Sequence, residues 1–421
     1  MGLPDELEAK TSGSSLADGA AQQVKPGYAP AWMKSSEPRA LRIGVEAISA
    51  GASLDAAAGG MAVYYDGLLR ALAQCDGVDS LITFVPPWHE GFGIPQTPKI
   101  RRVTCWGLSR NRVGRVLYEQ LVLPPTTALQ RPDVLLSTCN VRPLLWRGPS
   151  VVVLHQVQYH FYPELYRRVR RSYLSLFVKE SLRRADAVIA VSEWEREQVL
   201  ALFDVEPSRV FTVHHGISNL VSRAASNVAE SDRNAQNSRP YVAFVSTLYH
   251  YKNHARLIEA FANVVHAHGI PHELVIAGGE ANVTYTELQE LARRFHVADR
   301  VRLLGPIHHE KVPQLVAAAD VVVYPSLMET FGHPLLEALS LGRCVLTSNC
   351  GAMAEMAGDA ARLVDPTDVA DMAAGLADLI FDQPLRDRLS RAGRQRAAEF
   401  TWDRCADGTM RAIRYAVARK T

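Results

Sequence analysis

Short, uninterrupted apolar runs separated by longer stretches of helical period recur from residue 41 onward, and no other feature narrows the fold as much. In the first half the runs are LRIGVEAIS (41–49), SLITFVPP (80–87), DVLLST (133–138), SVVVLHQ (150–156), DAVIAVS (186–192) and RVFTVHHG (209–216). Continuous runs suit strands covered on both faces, and therefore a parallel sheet flanked by helices. Helix candidates such as MAVYYDGLLRALAQC (61–75) lie between them, so the expected unit is a doubly wound α/β domain. The stretch VSRAASNVAESDRNAQNSRP (221–240) has neither period, and a second series follows it: YVAFVST (241–247), ELVIAGG (273–279), RVRLLGP (300–306), DVVVYPS (320–326) and CVLTS (344–348).

The expected organisation is a flexible tail over 1–38, a Rossmann-like domain over 39–220, a linker over 221–240, a second Rossmann-like domain over 241–400, and a C-terminal helix over 401–421 returning to the first domain. Two such domains facing one another leave a cleft at the carboxyl ends of their strands, where ligands collect. Composition adds mainly exclusions. With 46 basic and 44 acidic side chains the net charge is +2, which gives no reason to expect a nucleic-acid partner. The six cysteines form no C-x-x-C pair and favour a reducing, cytoplasmic setting. The polar amino terminus lacks the apolar core of a secretory signal, and no apolar run reaches membrane-spanning length.

The stretch SLMETFGHPLLEALSLG (326–342) concentrates the chemistry. Pro334 suits the first turn of a helix and Gly342 its end, which leaves the amides of Gly332, His333 and Leu335 among the unsatisfied N–H groups of a helix start. That is an anion site, above all for phosphate. Glu337, about one turn in, is placed to accept from a vicinal diol such as ribose, and Glu329 would reach the opposite end of a bound diphosphate. Taken singly, Glu337 reads equally as an acid favoured by the helix dipole and Glu329 as a solvated loop acid. Lys252, at a strand-to-helix turn, offers a point charge or is a plain loop lysine. Gly59 and Gly60 mark a helix entrance or a simple turn; His155, closing VVVLH, projects at the sheet's carboxyl edge for catalysis or for structure. The fourteen histidines form no H-x-x-x-H or H-E-x-x-H pattern, so no metal site is expected.

In order along the chain, G-G-M (59–61), V-L-H (153–155), A-V-S-E (190–193), H-G-I (215–217), K-N (252–253) and E-T-F-G-H-P-L-L-E-A (329–338) resemble retaining glycosyltransferases of family 4 over roughly 41–410. The resemblance implies a GT-B fold, with the acceptor on the first domain and a nucleotide sugar on the second. It implies that Glu329 and the amides of Thr330, Phe331 and Gly332 hold the donor hexose and phosphate. Glu337 would hold the ribose and Lys252 the diphosphate, Gly59 and Gly60 would admit the diphosphate, and His155 would lie beside the reacting sugar. Thr247, counted with the donor residues, stands where many relatives carry an arginine, and Gln156 follows His155 in place of a frequent aspartate.

The expected activity is retaining transfer of a hexose, mannose by lean, with no metal or other cofactor. The acceptor is a saccharide or a lipid-linked hydroxyl. With no first-domain carboxylate in the place of a nucleophile, front-face transfer is expected, the leaving diphosphate helping to deprotonate the acceptor. The alternatives are a silent sugar-nucleotide-binding module and a GT-B phosphorylase or epimerase. The basic stretch YRRVRRSYLSLFVKESLRRAD (166–186) reads either as a peripheral contact with the inner face of a membrane or as a helix packed on the sheet with solvated arginines.

Overall fold

A computed structural model describes residues 39–48, 60–88, 95–217 and 239–420. Gly59, the expected tail and nearly all of the expected linker lie outside the described residues. The first sheet holds β1 (Leu41–Glu46), β2 (Val78–Val85), β3 (Ile100–Thr104), β4 (Val134–Ser137), β5 (Ser150–Leu154), β6 (Ala187–Ala190) and β7 (Val210–Thr212), ordered β3-β2-β1-β4-β5-β6-β7. The second holds β8 (Tyr241–Val245), β9 (Glu273–Ala277), β10 (Val301–Gly305), β11 (Val321–Tyr324), β12 (Val345–Ser348) and β13 (Arg362–Val364), ordered β10-β9-β8-β11-β12-β13. Every strand pairing is parallel. The order reverses between β1 and β4 in one sheet and between β8 and β11 in the other, the switch points where clefts open.

The helices of the first half are α1 (Gly60–Gln74), α2 (Arg112–Leu117), α3 (Leu123–Gln130), α4 (Gln158–Phe161), α5 (Arg168–Arg184) and α6 (Glu193–Leu202). Those of the second are α7 (His254–His268), α8 (Tyr285–Arg294), α9 (Val312–Ala317), α10 (His333–Ser340), α11 (Gly351–Ala357), α12 (Val369–Phe381), α13 (Gln383–Ala397) and α14 (Trp402–Ala418). The strands β4, β5, β6, β11 and β12 are buried at every residue, which is why their runs do not alternate. β3, an edge strand, carries two exposed arginines in IRRVT and shows no apolar run.

The last helix, α14, leaves the second domain and packs on α1 and the strands β4–β7. Its entry is stitched to the end of the first domain. Ile217 N donates to Phe400 O at 3.1 Å, and Trp402 Nε1 donates to Ile217 O at 2.9 Å. The Trp402 ring lies flat against Gly67 of α1, where any Cβ would collide with it. Gly67→Val should therefore lower folding stability by about 1–3 kcal/mol through overpacking, read as a drop in the urea midpoint at unchanged slope.

Candidate active site between the two sheets

A cavity of about 1120 Å³ opens at the carboxyl ends of both sheets, large enough for a nucleotide-sized ligand. The first domain supplies Cys139 and Asn140 after β4, His155 and Gln156 after β5, Val191 after β6 and His215 after β7. The second supplies Tyr324 at the end of β11 and the run Glu329–Pro334, with Glu337 from α10.

The loop from β11 into α10 turns on Gly332. Its φ of +100° is left-handed, and a Cβ there would stand 2.8 Å from Met353 Sδ, so only glycine fits. No side chain caps α10, whose second residue is Pro334, so its first amides stay open to the cavity. Phe331 does not face solvent. It is 3% exposed, among His215, His333, His214 and Phe400 at ring separations of 4.6–6.3 Å, so it offers a ligand its amide and little else. Thr330 lines the cavity while its carbonyl accepts from Ser192 Oγ at 2.8 Å.

Lys252 closes a 3₁₀ turn after β8. The next residue, Asn253, is left-handed at φ 69°, and its buried amide donates to Pro325 O at 3.1 Å and Pro366 O at 2.6 Å. Leu327 N donates to Tyr251 O at 2.7 Å, which lays this turn along the β11 loop. The result is an ion pair between Lys252 Nζ and Glu329 Oε1, an oxygen that also accepts from Ser326 Oγ at 3.1 Å. Both charges are largely withdrawn from solvent, with side chains 17% and 16% exposed. Glu337 is different: among the described residues no hydrogen bond or ion pair engages its carboxyl, and burial pushes its pKa up to about 7.

His155 is 9% exposed and held at both ends of the residue. Its amide donates to Asn140 Oδ1 at 2.7 Å, and its Nε2 lies 2.8 Å from Thr138 O. A carbonyl only accepts, so Nε2 carries the proton and Nδ1 is the acceptor. Burial pushes this imidazole down to about 4, so it is neutral near pH 7 and can accept a hydroxyl proton in a hydrogen bond without acting as an acid. Gly60 opens α1, which also sends Val63 to the cavity wall. Thr247 follows β8 with its side chain exposed, and neither it nor Lys252 is part of the cavity wall. Among the described residues no group of three His, Cys, Asp or Glu is placed to hold a metal ion.

Sequence reasoning missed how the two halves are joined. Glu355 of α11 accepts from the amides of Glu193 and Trp194 at 2.9 and 3.1 Å and lies 2.6 Å from His214 Nε2, so it caps α6 from the other domain. His215 Nδ1 meets His333 Nε2 at 2.8 Å. The H-G-I and F-G-H-P stretches each hold one histidine of this pair, and nothing in either stretch showed that the two would meet.

Two family profiles divide the chain between them. One described as Glycosyltransferase Family 4 matches residues 58–219, and one described as Glycosyl transferases group 1 matches residues 228–396. The O-antigen chain mannosyltransferase B of Escherichia coli is 28% identical over 374 residues, 84% of this chain and 96% of that protein. A sucrose-phosphate synthase from Thermosynechococcus elongatus superposes with a TM-score of 0.69 at 20% identity, covering 90% of this chain and 99% of that one. Anabaena HepE, solved with UDP and glucose, superposes with a TM-score of 0.65 at 18% identity, covering 88% and 98%. These structures share the two-domain GT-B fold with this chain.

The buried Glu337 carboxyl ties folding stability to pH. Its folded-state pKa lies above the unfolded value, so the penalty is absent below pH 4.5, where both states are protonated, and is complete above about pH 7. Glu337→Gln should raise stability at pH 8 by on the order of 2 kcal/mol and leave it nearly unchanged at pH 4, measured by chemical denaturation at both pH values.

Proposed function

The chain belongs to the family 4, group 1 glycosyltransferases, and from that premise we propose that it moves a hexose, mannose by preference, from a nucleoside-diphosphate sugar to a hydroxyl of a saccharide or lipid-linked acceptor, with retention. One observation carries this reading. Glu329, the uncapped start of α10 and Glu337 lie in that order along one stretch of cavity wall, with Lys252 ion-paired to Glu329. The diphosphate takes the open amides of α10, and its arrival draws Lys252 away from Glu329. Glu329 then accepts hydroxyls of the hexose, Glu337 accepts the ribose diol, and the Nδ1 of His155 accepts a further sugar hydroxyl. The lean toward mannose follows the Escherichia coli relative, similar over nearly its whole length.

Transfer runs on one face of the sugar. The bond from the anomeric carbon to the diphosphate oxygen breaks, the acceptor oxygen bonds to that carbon from the same side, and the acceptor's proton passes to the departing diphosphate. Lys252 and the helix amides hold the charge that develops, so no metal enters the scheme. A thermal-shift panel should show one nucleotide sugar stabilising the protein, by ~2.7 kcal/mol at a hundredfold excess over Kd. Lys252→Ala should lower kcat/KM by roughly 10²–10³. Turnover should persist in EDTA, and the product anomer, read by NMR, should match the donor. Full activity in the Lys252 variant or an inverted product would sink the scheme.

The cavity mouth favours a lipid-linked acceptor. Val113 and Leu117 of α2 are 72% and 53% exposed, and both line the cavity together with Arg167, Arg170, Tyr173 and Leu174. α5 divides its roles: Val178 and Leu182 pack on the sheet, while Leu176 and the arginines 168, 170 and 171 face outward. An apolar edge beside a basic one suits an anionic membrane surface next to the acceptor entrance. Among the described residues no helix is long and apolar enough to cross a membrane. Co-sedimentation with anionic vesicles at low salt should be strong and should fall with salt and with Arg168→Glu/Arg171→Glu; equal pelleting of the variant would remove this face from the proposal.

A further inference from the structure

His215 and His333 form a dyad across the domain boundary that the mechanism so far leaves idle. His215 is 4% exposed, and its ring is enclosed by Tyr64, Phe331 and His333 at ring separations of 4.3, 4.6 and 5.0 Å. It lines the cavity, and its buried Nε2 has no hydrogen-bond partner among the described residues. His333, also in the cavity wall, is the first residue of α10, beside the open amides. An orphan ring nitrogen buried in a cavity wall calls for a ligand atom.

The protons decide what kind. Two neutral imidazoles hold two N–H groups, and the 2.8 Å bond between them uses one. One outer nitrogen is then a donor and the other a lone pair, a poor match for an anion on either tautomer. A third proton makes both outer nitrogens donors. The local charges leave room for it, since Lys252 is already paired with Glu329 and the other cations lining the cavity, Arg115, Arg167 and Arg170, come from the first domain. A diphosphate diester brings about two negative charges, of which a released Lys252 answers one.

We propose that the His215–His333 dyad takes up one proton when the donor's diphosphate binds, and that this imidazolium supplies the second positive charge of the phosphate site. The inference rests on the donor reading above. In the empty cavity burial holds both rings below the usual histidine range, His333 at about 4, so the dyad starts neutral. The titratable groups around it are Tyr64 from α1, His155 after β5 with its Nε2 committed to Thr138, and His214 paired with Glu355 of α11. Arg115, Glu119, Arg167 and Arg170 of the first domain line the same cavity, as do Glu329, paired with Lys252, and Glu337 of the second. No carboxylate bonds either ring to hold the proton beforehand, and the incoming diphosphate is what favours it.

Isothermal titration of GDP-mannose and UDP-glucose at pH 7, in buffers of differing ionisation enthalpy, counts the protons exchanged. Neither diphosphate diester has a proton of its own to exchange there, and comparison with variants cancels whatever Glu337 releases. Wild-type protein should take up about 0.5–1 proton more than His215→Asn or His333→Asn, and either variant should bind about tenfold more weakly. That difference in affinity should shrink as pH rises and the wild-type dyad loses its proton. Ring-nitrogen NMR of ¹⁵N-histidine-labelled wild-type protein should show an imidazolium appear with the bound donor, a readout that needs no variant to fold. Equal proton linkage in wild type and folded variants, or a donor-bound spectrum without imidazolium, overturns the dyad while leaving the donor site intact. If neither nucleotide sugar binds, the donor reading itself falls.

Discussion

Phe331 sits where the two domains meet, and the rest of the site depends on how it is held. Its ring is packed by His214 and His215 from the first domain and by His333 and Phe400 from the second. Burying that ring fixes the backbone from Thr330 to Gly332, and the positive φ of Gly332 then aims the start of α10 into the cavity. A buried side chain therefore sets the position of the amides at the start of α10. The bond from Ser192 to Thr330 and the cap of α6 by Glu355 act in the same direction, closing the cleft around the loop.

The cavity's electrostatics follow from burial. Lys252 and Glu329 neutralise each other in the ligand-free protein, so neither stands as an uncompensated charge. Glu337 has no such partner among the described residues, and its carboxyl is poised near neutrality at the expense of stability. His155, His215 and His333 are kept neutral. The cations that remain in the cavity wall are Arg115, Arg167 and Arg170 of the first domain.

Much of this was legible in the chain. The unbroken runs at β4, β5, β6, β11 and β12 announced parallel strands, since a strand covered on both faces has no polar side to alternate. Pro334 and Gly342 bracketed α10, and Glu329 and Glu337, set on either side of Phe-Gly-His-Pro, both reach the one cavity. β3 was not legible, because an edge strand of sequence IRRVT buries too little to need an apolar run. The helical run Arg112–Gln130 was also hidden, its pattern interrupted by a π turn at Tyr118–Val122 and by Pro124 and Pro125.

By itself the sequence determined two doubly wound domains, the switch points at which a cleft must form, and a helix start suited to phosphate. These depend on local pattern, which neighbours along the chain decide. Tertiary structure alone decided which distant groups meet: Lys252 with Glu329, Glu355 with the start of α6, and His215 with His333, 118 residues away. It also decided which groups go without a partner among the described residues, as Glu337 and the Nε2 of His215 do. Pairing and burial between remote segments set charge and proton position, and no local pattern encodes them.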